Sequence, residues 1–345
     1  MRFIGCKSNL LLNIEKIVNE KCKDSKIFCD IFSGTGTVGN YFKKDYEVIS
    51  NDLLFFSYVL QKGTIEIDKI PKFTKLTKLI KDSNCYNVYD YLNNMDFSNY
   101  NGKKVMTSRY SPAGDRMYIT EANALKIDCM RETVEEWYKI GMITKEEYYY
   151  LIACMIQELP SFSNISGTYG AYLKSWDKRA LKEYKIKPLE VIQNGKNNKV
   201  YNQDGVDLLN NICGDILYVD PPYNARQYLP NYHLLETLAK YDEPEVKGIT
   251  GVRNYSKEKS NWCLKTKVYS ELEKLLMNAK FKHIIISYSS EGIMETEKIE
   301  EIMKKYCISE SFQLVEIPYR RFKSRTANAK SDVMELLFYI EKEVL

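Results

Sequence analysis

Asp220-Pro221-Pro222-Tyr223 puts a carboxylate, a stiffened backbone and an aromatic face within four residues. The apolar run Ile216-Leu217-Tyr218-Val219 before it reads as a buried strand. The two prolines end that strand and rigidify its exit. In a doubly wound sheet, ligands bind outside the C-terminal ends of the strands. A flat heterocycle with an exocyclic amine suits such a place. Its ring would stack on Tyr223 and its amine would donate to Asp220. The same four residues also suit an ordinary strand exit, where paired prolines are common.

A second cluster lies nearer the N-terminus. Ile27 to Phe32 reads as a strand running into Ser33-Gly34-Thr35-Gly36-Thr37-Val38-Gly39. Gly34 and Gly36 permit a tight turn and close approach of a ligand to the backbone. The loop has neither dinucleotide-fold glycine spacing nor the Lys-Ser/Thr of a phosphate loop. Asp52 follows the next strand, roughly 20 residues past the loop's start, where an acidic residue binds ribose hydroxyls in nucleotide folds. It could equally cap the following helix. Asp204 ends a third presumed strand, as an adenine-amine acceptor or again as a cap.

These residues need a frame. Residues 8–21 have the spacing of an amphipathic helix, and the strand–loop–helix–strand unit from Ile27 to Ser50 is a βαβ element. Residues 60–195 lack βα alternation, with helical patterns near 121–140 and 144–158. Alternation resumes with strands at 199–202, 216–219, 281–287, 311–318 and 333–340, and helices near 206–211, 231–241, 265–280 and 296–306. The expected architecture is a Rossmann-like, doubly wound α/β domain formed by residues 1–59 and 196–345. It is split by a mostly helical insertion over 60–195.

The chain has 345 residues, 44% hydrophobic and 28% charged, which marks it as globular. A net charge of +4 is too small to identify a polyanionic partner by itself. Nine cysteines form no CxxC pair and the two histidines are far apart, so no metal site is expected. Cys29, Cys154 and Cys213 read as reduced core thiols of a cytoplasmic protein. No signal peptide or membrane span is apparent.

Glycine loop, acidic strand end and DPPY together resemble the S-adenosylmethionine-dependent amino methyltransferases. Their order narrows the likeness. Arg2-Phe3-Ile4-Gly5-Cys6-Lys7-Ser8 ahead of the glycine loop is similar to the N-terminal cofactor motif of the DNA adenine-N6 methyltransferases, though many relatives carry Trp in place of Phe3. The insertion falls where Dam-like members carry their target-recognition domain. Asn224 to Tyr228, Asn231 to Thr237, Ser287 to Gly292 and Tyr319 to Phe322 also look typical of one branch. The likeness covers nearly the whole chain.

It implies methyl transfer to adenine N6 of double-stranded DNA, as in bacterial restriction–modification systems, where a separately encoded endonuclease is the expected partner. It implies a catalytic set of Asp220, Pro221, Pro222 and Tyr223. The implied S-adenosylmethionine site comprises Phe3, Lys7, Asp30, Phe32, Ser33, Gly34, Thr35, Gly36, Asp52, Asp204 and Asp220, without metal. For DNA contact the candidates are Arg226, the basic loop residues Arg320, Arg321, Lys323 and Arg325, and Tyr169, Tyr172 and Lys174 of the insertion. Asn164, Ser166 and Thr168 could reach bases or phosphates. Tyr169 to Trp176 also fits a packed aromatic hairpin. Ser in place of Asp220 would point to N4-cytosine chemistry. The alternatives are an RNA amino-methyltransferase and a catalytically silent DNA-binding subunit.

Overall fold

The computed structural model describes residues 5, 7–319 and 333–343. These fall into two compact units. One contains Leu54–Gly195 and Leu229–Lys257, and the other contains Lys7–Leu53, Lys196–Tyr228 and the chain from Glu258 onward.

The second unit is built on a seven-stranded sheet. Its strands are β1 Ile27–Asp30, β2 Glu47–Asn51, β3 Lys199–Tyr201, β4 Gly214–Val219, β5 Phe281–Ser289, β6 Gln313–Tyr319 and β7 Val333–Glu341. Their order across the sheet is 3-2-1-4-5-7-6. The first five run parallel, with Asp30 beside Tyr218 and Val219 beside Ile286. β7 runs antiparallel to both β5 and β6. This is the Rossmann-like architecture expected from the sequence, closed at one side by an antiparallel pair.

Side chains alternate across the central strands, as the strand period of two requires. Phe28, Ile216, Tyr218, Ile285, Leu337 and Tyr339 face one apolar layer with α1 (Leu11–Lys21) and α2 (Thr37–Phe42). Cys29, Leu217, Val219, Ile284, Ile286 and Phe338 face the other. That layer holds α3 (Gly205–Leu208), α4 (Val268–Asn278) and α5 (Thr296–Lys304). Both faces are covered, so these strands read as continuous apolar runs.

The first unit is mainly helical, with its longest helices at Glu121–Lys139 and Lys145–Glu158. Thr144 and Glu147 form a reciprocal capping box on the latter. Gly63 lets the backbone approach that helix, since a Cβ there would lie 2.6 Å from Ala153 Cβ.

The unit also takes in two segments beyond 60–195. The buried Glu236 carboxylate accepts from the amides of Phe55 and Phe56, at 3.2 and 2.9 Å, capping helix Phe55–Gln61. Glu236 lies on helix His233–Lys240, so both segments belong here. A two-strand ribbon, Val246–Lys247 with Val252–Arg253, completes the unit. Arg109 and Arg116 hold it by donating to the carbonyls of Pro244 and Gly248.

Cys29 and Cys154 are buried thiols, but Cys213 is exposed. It sits in the turn before β4, outside the alternation that buries Leu217 and Val219. No helix among the described residues is long and apolar enough to cross a membrane.

Candidate active site

The C-terminal ends of β1, β2 and β4 bring Asp30, Asn51 and Asp220 to one edge of the sheet. After β1 the chain turns through Gly34 (φ 52°) and Gly36 (φ 77°), left-handed positions that favour glycine. Gly36 is the N-cap of α2.

Asn51 fixes this loop from the neighbouring strand. Its carbonyl accepts from Ser33 N at 3.0 Å and Ser33 Oγ at 2.7 Å. Its side-chain amide donates to Ile31 O and Gln203 O. Asp52 Oδ2 accepts from Gly34 N at 2.8 Å. The helix that follows Asp52 has Leu54 at its N-cap, so Asp52 serves the loop rather than the helix. Asp204 does cap its helix, with Oδ1 accepting from Val206 N and Asp207 N. Phe32 stacks edge-on against the buried Trp262, with ring centroids 5.3 Å apart.

Lys7 enters ahead of α1 and is almost wholly buried, 4% exposed. Its Nζ lies 3.2 Å from Asp220 Oδ1 and 3.1 Å from Glu335 Oε2. The same ammonium is 5.9 Å from the Tyr223 ring centroid, so cation, carboxylate and ring share one spot. Asp220 keeps 17% of its side-chain surface exposed. Burial pushes its carboxyl up to about 6, although the Lys7 charge pulls the other way. Burial would lower the Lys7 ammonium, but the two carboxylates outweigh it and hold it above its usual value. Tyr223 packs on the apolar layer of α4 and α5, and its carbonyl accepts from Ile293 N.

Asp30 is fully buried. Gly39 N donates to its Oδ2 at 3.2 Å, while Oδ1 has no partner. Burial first, and the Asp220 charge second, push it well above the ordinary carboxylate range. An orphaned buried carboxyl oxygen beside a left-handed glycine loop suits a ligand rich in hydrogen-bond donors. S-adenosylmethionine, with its ammonium, ribose hydroxyls and adenine amine, is such a ligand. Among the described residues, no group of three or more His, Cys, Asp or Glu side chains is placed to hold a metal.

The DNA-contact candidates separate. Tyr169 is buried, with its hydroxyl 3.2 Å from Ser163 Oγ and its ring against Tyr118. It is a core residue, so display to DNA does not describe it; the segment packs as the alternative expects but forms turns and no strands, and so is not a hairpin. Asn164 is likewise internal. Its side chain bridges Leu173 O and Asp177 N and ties the segment together. Tyr172 is half-buried, edge-on to Tyr118. Lys174 and Ser166 are exposed, and Arg226 is exposed in the turn after Tyr223. Phe3, Arg320, Arg321, Lys323 and Arg325 lie outside the described residues. His233 is buried, with Nε2 3.0 Å from Tyr169 O, and burial lowers it to about 4. It packs a helix and stays neutral.

Two residues were missed by sequence reasoning. Glu335 stands near the start of an antiparallel strand, where a rule about strand C-termini does not look. Asn51 was visible only as the neighbour of Asp52.

Comparison with known proteins agrees with this geometry. Residues 3–302 match the family model "D12 class N6 adenine-specific DNA methyltransferase". The type II methyltransferase M.FokI of Planomicrobium okeanokoites is 47% identical, over 100% of this chain and 53% of that protein. The modification methylase StsI of Streptococcus sanguinis is 40% identical, over 99% of this chain and 52% of that protein. The chain thus spans about half the length of these two relatives. The type II methyltransferase M.NlaIII of Neisseria lactamica is 35% identical over 99% of both chains. The strand-end carboxylate, the glycine loop and the family match lead to one conclusion: the chain belongs to the D12 class of N6 adenine-specific DNA methyltransferases.

Proposed function

We propose that this protein transfers a methyl group from S-adenosylmethionine to the N6 amine of adenine within a specific short sequence of double-stranded DNA. The observation that carries the reading is Asp220, a half-buried, lysine-paired carboxylate at the C-terminal end of β4, followed by Tyr223.

Adenine N6 is a poor nucleophile because its lone pair is delocalised into the ring. A hydrogen bond from N6 to the Asp220 carboxylate favours a tetrahedral nitrogen and localises that pair. The Pro221 carbonyl is the second acceptor. Tyr223 supplies a stacking face for the base, which must leave the duplex because an edge buried in a stack cannot be reached. The remaining work is positioning and electrostatics, and no residue forms a covalent intermediate.

Asp30, Ser33, Gly34, Gly36 and Asp52 are the residues that would hold the cofactor, with Phe32, Thr35 and Asp204 beside them; Phe3 is assigned to it on the N-terminal motif alone. When bound, it supplies a methyl group on a positively charged sulfur that departs as a neutral thioether. Lys7, a cofactor contact by the N-terminal motif, has its ammonium between Asp220 and Glu335 and is given another role: it keeps Asp220 ionised despite partial burial, so the amine meets an acceptor rather than an acid. Base reading is assigned to residues 60–195, with Lys174 and Arg226 as phosphate contacts. Modification within a restriction–modification system fits relatives named modification methylases; a separately encoded endonuclease is the partner such a role would need.

The test is single-molecule sequencing of DNA from a methylation-free host expressing the chain, beside Asp220→Ala. The expected result is N6-methyladenine at one short motif, absent with the variant. A folded, cofactor-binding protein that leaves all adenines unmodified would sink the reading and direct the search to RNA.

A further inference from the structure

Lys7 has two carboxylates within ion-pair distance, and the proposed chemistry uses only one. Glu335 Oε2 lies 3.1 Å from its Nζ and Asp220 Oδ1 lies 3.2 Å away. All three side chains are largely withdrawn from water, at 4%, 17% and 13% exposure for Lys7, Asp220 and Glu335. One ammonium shared by two carboxylates leaves a net negative charge in a poorly solvated place. A simple Lys7–Asp220 pair would avoid that cost.

Glu335 reaches this edge because β7 runs antiparallel, opposite Ser289 near the C-terminal end of β5. The third group is therefore positioned by the sheet itself.

We propose that Glu335 is a positioning residue for methyl transfer: it draws the Lys7 ammonium partly off Asp220, so that the carboxylate retains its strength as acceptor for the substrate amine. This rests on the methyltransferase reading above. An ammonium has three protons and can serve two acceptors at once. With Glu335 neutral, Lys7 pairs with Asp220 alone and competes with the incoming amine. The charges that bear on Asp220 are Lys7 before α1 and Glu335 on β7; Asp30 on β1 and the phenol of Tyr218 on its own strand are coupled to it, and burial holds both towards their neutral forms. Of these, Lys7 favours the carboxylate and Glu335 opposes it. Removing the Glu335 charge therefore makes Asp220 a stronger acid but a less available acceptor.

The experiment compares the full-chain wild type with Glu335→Gln and Glu335→Asp in single-turnover methylation of cognate DNA across pH. Cofactor affinity is measured by calorimetry. In Glu335→Gln the maximal rate is expected to fall about tenfold, the scale of one hydrogen bond to a charged group. Its acid limb is expected to move to lower pH, with cofactor affinity unchanged. Glu335→Asp restores most of the rate. A merely structural Glu335 would lower the rate without moving the limb, and that result overturns the proposal. So does a Glu335→Gln variant matching wild type in both. If Glu335→Gln fails to fold, Glu335→Met decides: it removes the same charge at similar volume, so the limb should again move to lower pH, and an unmoved limb overturns the proposal. A wild type without turnover on any DNA rejects the methyltransferase reading itself, a separate outcome from an active wild type indifferent to Glu335.

Discussion

Asp220 is under two opposed influences, and their balance sets the pH range in which the site works. Burial raises its carboxyl to about 6 and Lys7 limits the rise. The proposed chemistry needs the ionised form. Turnover should therefore fall as pH drops through about 6, where Asp220 takes up its proton. Lys7→Met removes the charge that opposes protonation, so the acid limb should move to higher pH. At pH 7 the rate should fall about twofold if the limb moves up by about one unit and about tenfold if it moves up by about two, as the ionised fraction of a single carboxyl falls. Rate–pH profiles of the two proteins check this, and a limb unmoved by Lys7→Met would mean that another group titrates. Each residue was legible locally, Asp220 from its strand and prolines and Lys7 from the N-terminal motif. Their pairing was not, because nothing in either local pattern encodes the other. Glu335 lay deeper still. Its partner is a lysine at the opposite end of the chain, and a Glu in an apolar run reads simply as a strand residue.

The elements that carry the site were legible where a period persisted. Ile14, Ile17 and Val18 mark one face of α1, and apolar runs mark β4 and β5. Direction and membership were not legible. A nine-residue apolar strand such as β7 reads identically whether it lies parallel or antiparallel to its neighbour. Helix His233–Lys240 follows the DPPY strand in sequence but packs in the other unit, because the Glu236 carboxylate finds its donors at Phe55 and Phe56. Tyr169 and Asn164 looked like DNA contacts because aromatics and amides serve surfaces and interiors alike. The glycine loop makes the sharpest demand of any element. Gly36 has φ 77° and starts α2, so an alanine there meets the left-handed penalty of about 1–2 kcal/mol. Gly36→Ala should lower the stability of the protein by about that amount. It should also weaken cofactor binding, because relaxing the left-handed φ of an alanine there shifts the turn that Gly36 N closes onto Ser33 O. Calorimetric titration with S-adenosylmethionine, beside thermal unfolding, separates the two effects. Tight binding in a destabilised variant would mean that the loop shapes the fold and not the ligand site.

At the scale of the whole molecule, chemistry and recognition are assigned to different parts of the chain. Asp220, Lys7, Asp30 and the glycine loop all belong to the sheet unit, while residues 60–195 belong to the helical unit. A protein so organised should lose its two abilities independently. Lys174 and Lys178 are exposed in the helical unit, in a segment otherwise tied down by Asn164 and by the Arg179–Asp177 pair. Each is a candidate phosphate contact, and neutralising two such contacts removes about two counterions from the binding equilibrium. The double variant Lys174→Ala, Lys178→Ala should bind DNA more weakly on all sequences, with the slope of log K against log salt reduced by about 2. Its affinity for S-adenosylmethionine should match wild type. Asp220→Ala should do the reverse, keeping DNA affinity and its salt slope while losing methylation. Fluorescence anisotropy on cognate and unrelated duplexes at several salt concentrations measures the first pair of quantities. If the lysine variant retains the full salt slope, phosphate contact lies elsewhere, and the basic stretch Arg320, Arg321, Lys323 and Arg325 becomes the next segment to neutralise.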